Sequence, residues 1–171
     1  MTAPLAPPQL DPSELQRQVL INLGSYGERN SFECFALLMG KAQILEFGLK
    51  NLLNRRCGID DAEMEKWTLG KVASELASRG FRADYIELLK RFVKQRNYIA
   101  HEMLANNVIF RSMAPSMSDR FEFKQLSQPA FDLEQLLIVH DWLEEHDAWL
   151  PIVEAQPVIA ADASLPAELR R

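Results

Sequence analysis

Cysteine is nearly absent. Cys34 and Cys57 are the two in 171 residues, too few for a disulfide framework, and neither stands in a metal-ligand spacing. A reduced, cytoplasmic setting is the expectation. Long hydrophobic runs are missing as well: nothing approaches the roughly 18 apolar residues that a membrane span needs. The opening Met-Thr-Ala-Pro-Leu-Ala-Pro-Pro has neither the basic start nor the apolar core of a secretory signal. No membrane partner is expected. Histidine is scarce, with His101, His140 and His146. The last two, taken with Glu144 or Asp147, make no metal-ligand set, so neither a metal nor another cofactor is expected. No segment repeats. Positive charge is not in excess either, since a net charge of −5 argues against a molecule-wide attraction for polyanions.

What is present fits one domain. A chain of this length buries a real core without dividing in two, and 47% hydrophobic with 25% charged residues is an ordinary globular composition. Residues 1–12 and 151–171, rich in Pro or in Ala and Pro, are expected to be flexible tails around a single helical domain at 13–150. Ser13 with Gln16 fits a capping box ahead of a short amphipathic helix carrying Leu15, Val19, Leu20 and Leu23. From Ser31 to about Arg56, Phe35, Leu38, Ala42, Leu45, Leu49, Leu52 and Leu53 recur at helical spacing, and Cys57-Gly58 ends the run. Thr68 is placed to cap a helix burying Leu69, Val72, Ala73 and Leu76, which Gly80 terminates.

Between Asn106 and Pro129 the pattern changes. Val108-Ile109-Phe110 and Phe121-Glu122-Phe123 read as short strands around a turn-rich centre, predicting a small β-hairpin. Asp132 then caps a final helix that Pro151 stops near Leu150. Its inner face is Leu133, Leu136, Leu137, His140 and Leu143, which makes His140 a core residue and leaves His146 outside. Ile138, Trp142 and Trp149 form a second apolar strip. A helix with two apolar faces sits deep in a bundle or offers one face to a partner. The fold class is therefore all-α: a bundle of four to five helices with a β-hairpin before the last.

Charge is distributed unevenly. From Arg79 to His101 six basic residues stand against two acidic ones, whereas Asp132 to Asp147 holds six acidic residues and no Lys or Arg. The basic stretch belongs to a helix expected from about Ala83 to Leu104. At about 100° per residue, Tyr85, Leu89, Phe92, Val93, Ala100 and Met103 share a face, and Arg96 falls inside it. Asn97 and His101, four apart, line its edge. A guanidinium keeps its charge, and burying it unpaired is costly, so Arg96 must meet a carboxylate, a second subunit or a phosphate. Glu46, inside the apolar stripe of the long helix, is the one obvious intrachain carboxylate. A structural Glu46–Arg96 pair and a free Arg96 both remain open.

Arg96-Asn97-Tyr98-Ile99-Ala100-His101 resembles the signature of the HEPN superfamily: arginine, commonly a polar residue next, and histidine four to six residues on. Lys41–Leu53 resembles the long helix of such proteins, and Trp67-Thr68-Leu69-Gly70-Lys71-Val72 the start of their next one. The likeness covers roughly residues 31–105. It implies an HEPN-like bundle, a homodimer whose motif helices face each other across a cleft, and a metal-independent endoribonuclease, in some members a toxin or anti-phage effector. It equally admits a non-catalytic module that binds RNA, a nucleotide or a protein. On the catalytic reading Arg96, Asn97 and His101 form the site, Glu46 supports Arg96, and Lys90, Arg91 and Lys94 bind the RNA backbone. Where some HEPN toxins carry a modifiable tyrosine two residues after the histidine, this chain has Met103, so inactivation by a partner nucleotidyltransferase is not expected. The chain contains no nucleotidyltransferase segment, and any antitoxin would be a separate protein.

Overall fold

A computed structural model of the chain describes residues 10–103 and 118–150, with the backbone alone described at 118–123. Among these residues every regular element is helical. Helix α1 (Pro12–Gly27) is capped by Asp11, whose side chain accepts from the Ser13 backbone N–H at 2.9 Å. The cap thus precedes the expected Ser13, because Pro12, with no N–H to satisfy and φ already helical, suits the first turn.

Helix α2 (Ser31–Cys57) starts at a reciprocal cap: Asn30 accepts from the Glu33 N–H and Glu33 accepts from the Asn30 N–H. It ends at Gly58, whose φ of 68° is readily adopted without a side chain. A single turn, α3 (Asp61–Met64), precedes α4 (Leu69–Ser78), which Thr68 caps through the Lys71 N–H. Helix α5 (Ala83–Tyr98) continues directly into a π-helical turn, Ile99–Met103, where an unbroken α-helix is expected. Helix α6 (Ser118–Glu145) is the last.

Helix α6 corrects four expectations. Residues 121–123 are helical and form no strand, while Val108–Phe110 lie outside the described residues. The alternation of Phe121 and Phe123 imitates a strand over three residues, but Leu126, Ala130, Leu133 and Leu136 continue at spacings of three and four and are all buried. Asp132 is not a cap, since the helix begins at Ser118 and passes through Pro129. That proline has no N–H for the Gln125 carbonyl, a defect of about 3 kcal/mol. Burial of Phe131, Leu133 and Leu136, each worth about 1.5–3 kcal/mol, offsets it.

The C-terminal end of α6 comes at Glu145 rather than Leu150. Asp147 turns left-handed at φ 52°, and the Ala148 N–H bonds back to the Leu143 carbonyl at 3.0 Å, a Schellman-type stop. Trp149 folds under the helix end. Its ring meets Tyr85 edge-on at 5.2 Å and His140 at 5.4 Å, its indole N–H donates to Glu144 at 3.1 Å, and its carbonyl accepts from the Arg82 N–H at 3.1 Å. Trp149 is therefore core, and His140 is enclosed between it and Gly48. The expected second apolar strip of this helix does not face outward as a unit.

Residues Phe131 to Leu136 of α6 are buried without interruption, because α1, α2 and α5 all pack against this helix. Two carboxylates lie in that buried run, and each is met by donors from other helices. Glu134 accepts from Tyr26 at 3.0 Å, from Asn22 at 3.1 Å and from Lys41, which joins α1, α2 and α6. Asp132 accepts two bonds from Arg91 at 2.9 Å each, and one from Gln128 at 2.9 Å, which joins α5 to α6. Left unmet, either charge would destabilise the bundle by several kcal/mol. Among the described residues no helix is long and apolar enough to cross a membrane.

Candidate functional site

Helix α5 sets its inner face with Tyr85, Ile86, Leu88, Leu89 and Phe92, all buried. One turn beyond Phe92 the same face carries Arg96. It is half-buried, and its Nη1 donates to the Asn97 side-chain oxygen at 3.4 Å. Among the described residues no carboxylate lies within ion-pair distance of this guanidinium. Glu46 does not supply one: it pairs with Lys50, one turn away on its own helix, at 2.9 Å. The expected support of Arg96 by Glu46 is thus not formed. Neighbours four apart on one helix satisfy each other without crossing the bundle.

The π turn reshapes the rest of the motif. Ile99 and Met103 are buried and anchor the turn, while His101 and Glu102 between them are exposed. A π turn spaces its hydrogen bonds five residues apart instead of four, so Asn97 and His101 lose the stacked relation of an α-helix. No hydrogen bond joins them among the described residues, and the Asn97 carboxamide oxygen faces Arg96 instead. The three motif side chains therefore divide into an Arg96–Asn97 pair at the end of α5 and a separate His101 on the turn beyond.

The basic residues of α5 divide too. Arg91 is committed to the buried Asp132 by a two-bond fork, the geometry a guanidinium makes best with a carboxylate. Lys90 and Lys94 are exposed and make no ion pair among the described residues. They rim a groove of about 540 Å³ between the end of α4 and α5, floored by Ala77, Phe81, Ala83 and Ile86. Lys90, Lys94 and Asn97 follow one another at spacings of four and three, so they rise along one side of the helix toward the π turn. This lysine ladder is the part of the basic stretch able to meet phosphates. The Arg91–Asp132 fork is the part that sequence reasoning misplaced. Asp132 falls i−1 and i+1 to core leucine and phenylalanine, and the uninterrupted burial around it becomes visible only once α6 is seen at the centre.

Elsewhere burial shapes the ionisable groups. Enclosure, with the Glu134 carboxylate adjacent, pushes the Tyr26 hydroxyl well above its usual range. Full burial, with Asp141 and Glu144 adding to it, does the same to Tyr85. Burial raises the Cys34 thiol as well. Among the described residues no cluster of three His, Cys, Asp or Glu side chains is placed to hold a metal ion. No family model, no curated protein and no solved structure matches the chain.

Proposed function

We propose that the chain is a metal-independent endoribonuclease of HEPN type, acting as a homodimer, with Arg96 and His101 as its catalytic residues. One observation carries the reading: Arg96 is a half-buried guanidinium on the inner side of α5 with a carboxamide beside it and no carboxylate on it among the described residues. A cation so placed is ready for a phosphate.

The reaction suited to these side chains is attack of an RNA 2′-hydroxyl on the adjacent phosphorus. A base removes the 2′-hydroxyl proton, the new O–P bond forms, and the 5′-oxygen leaves with a proton from an acid. The products are a 2′,3′-cyclic phosphate and a 5′-hydroxyl end, and DNA, lacking the nucleophile, is not cut. Arg96 holds the non-bridging oxygens and stabilises their growing charge. Imidazole exchanges protons near neutral pH. One His101 per chain supplies one of the two proton-transfer groups, and the partner subunit's His101 supplies the other. Asn97 orients Arg96, and Lys90 and Lys94 guide the RNA backbone. A toxin or anti-phage role, with a separate neutralising protein, is compatible with such an activity.

A non-catalytic module binding RNA, a nucleotide or a protein through the same surface is the second reading. It is favoured by the His101 ring, which has no hydrogen-bond partner to orient it among the described residues. Expression in a host cell separates the two. Growth arrest by wild type but not by His101→Ala supports the nuclease, and equal growth of both supports the binding module.

A further inference from the structure

The groove between α4 and α5 holds more than the lysine ladder uses. Lys90 and Lys94 form its rim, but Ala77, Phe81 and Ile86 lie on its floor, and a phosphate gains nothing from an apolar floor. Of the other charged lining residues, Arg91 is held by Asp132 and Glu87 is the one acid. No ion pair joins Glu87 to either lysine among the described residues. Such a lining suits a chain segment that presents aliphatic and acidic side chains together.

A segment of that kind starts at the edge of the groove. The described residues end at Leu150, which is 56% exposed. Just before it, the Trp149 carbonyl accepts from the Arg82 N–H at 3.1 Å, which ties the chain one residue ahead of α5. Trp149 and Leu150 line a second cavity of about 360 Å³, and Phe81 lines both cavities. The stretch that follows, Pro151 to Leu169, carries Ile152, Val153, Val158 and Ile159, the carboxylates of Glu154, Asp162 and Glu168, and no Lys or Arg. From Ala83 to Lys94 helix α5 rises about 16 Å, and an extended chain covers roughly 3.3 Å per residue. Glu154 therefore has the reach for Lys90, and Asp162 has length to spare for Lys94.

We propose that the segment after Leu150 docks back into this groove, with Glu154 and Asp162 against Lys90 and Lys94 and its aliphatic side chains over the floor. Charge and apolarity then match on both sides. Each exposed ion pair contributes little by itself. A tethered segment, however, acts at an effective concentration of about a millimolar, so a weak contact suffices and stays displaceable. Docked, the segment covers the lysine ladder, and an RNA backbone exchanges with it. That exchange rests on the nuclease reading, whereas the docking rests on the groove and the path of the chain.

Carbodiimide, which joins a carboxylate to a lysine amine only at ion-pair range, tests the docking on the full chain without RNA. The product is resolved on a denaturing gel, and the band at the 19.5 kDa chain mass is digested for mass spectrometry. Glu154 or Asp162 is expected to be linked to Lys90 or Lys94 in preference to the exposed Lys66. Acetylation with limiting reagent gives a second readout: Lys90 and Lys94 should react about threefold more slowly than Lys66 while the segment is docked. The variant Glu154→Gln/Asp162→Gln changes no described residue and should bring all three lysines to one rate. Absence of these links, links found only at twice the chain mass, or equal acetylation of the three lysines in wild type overturns the docking. Links within one chain beside uncut RNA would uphold the docking and remove the nuclease reading, so the two failures are distinguishable.

Discussion

The Arg91–Asp132 fork decides whether Arg91 belongs to the RNA surface or to the fold. The Asp132 side chain is 0% exposed and the Arg91 side chain 39%, so the two halves of the pair are not equivalent. Arg91→Met keeps the packing of the stem but strands a buried carboxylate, with the Gln128 amide as its remaining donor among the described residues. Removing one partner of a buried pair costs about 3–5 kcal/mol. Asp132→Asn leaves a neutral buried carboxamide facing an arginine that still reaches water, a loss of about 1–3 kcal/mol. Urea unfolding followed by circular dichroism measures both. Arg91→Met is expected to be the worse by about 2 kcal/mol. The double variant Arg91→Met/Asp132→Leu should recover much of the loss, since apolar replacement of a buried pair is often neutral. A cost below about 1 kcal/mol for Arg91→Met, the level of an exposed pair, would refute this reasoning and return Arg91 to the lysines as a phosphate contact.

Other outcomes follow from the same structure. Trp149→Ala removes the ring under Tyr85 and His140 and should cost about 3–5 kcal/mol, read as a lowered urea midpoint. Tyr26 and Tyr85 lose protons less readily folded than unfolded. The unfolded chain therefore binds fewer protons than the folded one above pH 10, and stability present below pH 10 should fall as pH rises past it; a flat alkaline profile contradicts the burial of both hydroxyls. Lys90→Ala/Lys94→Ala should weaken RNA binding and reduce the slope of log affinity against log salt by about 1.4, at about 0.7 per single-strand phosphate contact, measured by fluorescence anisotropy.

Much of the fold was legible because local chemistry and long-range packing agree. The α2 period, the Thr68 cap and the stops at Gly58 and Gly80 stand where sequence places them. Legibility failed where local signals were short or misleading. Phe121-Glu122-Phe123 alternates over too few residues to separate a strand from a helix, and Pro129 looks like a boundary although burial carries α6 through it. Trp149 reads as an outward residue if the helix reaches Leu150; the left-handed Asp147 turns it inward. At the site, Arg96 was conspicuous as a charge on an apolar face. Its relation to its neighbours was not, because an α-helical wheel hides a π turn. Glu46 meets Lys50 by the i, i+4 rule, a partner on its own helix that needs no packing across the bundle, whereas a pair with Arg96 would need it.

These corrections narrow the account to Arg96 and His101. Glu46, the candidate carboxylate that would have reduced Arg96 to a structural residue, is bonded to Lys50, and the Asn97 carboxamide oxygen accepts from the guanidinium. The most direct measurement is incubation of purified protein with RNA in EDTA, with the fragment ends analysed. The account predicts cleavage to 2′,3′-cyclic phosphate and 5′-hydroxyl ends, abolished by Arg96→Ala and by His101→Ala in proteins of unchanged helicity. Intact RNA after incubation with well-folded wild type would contradict it.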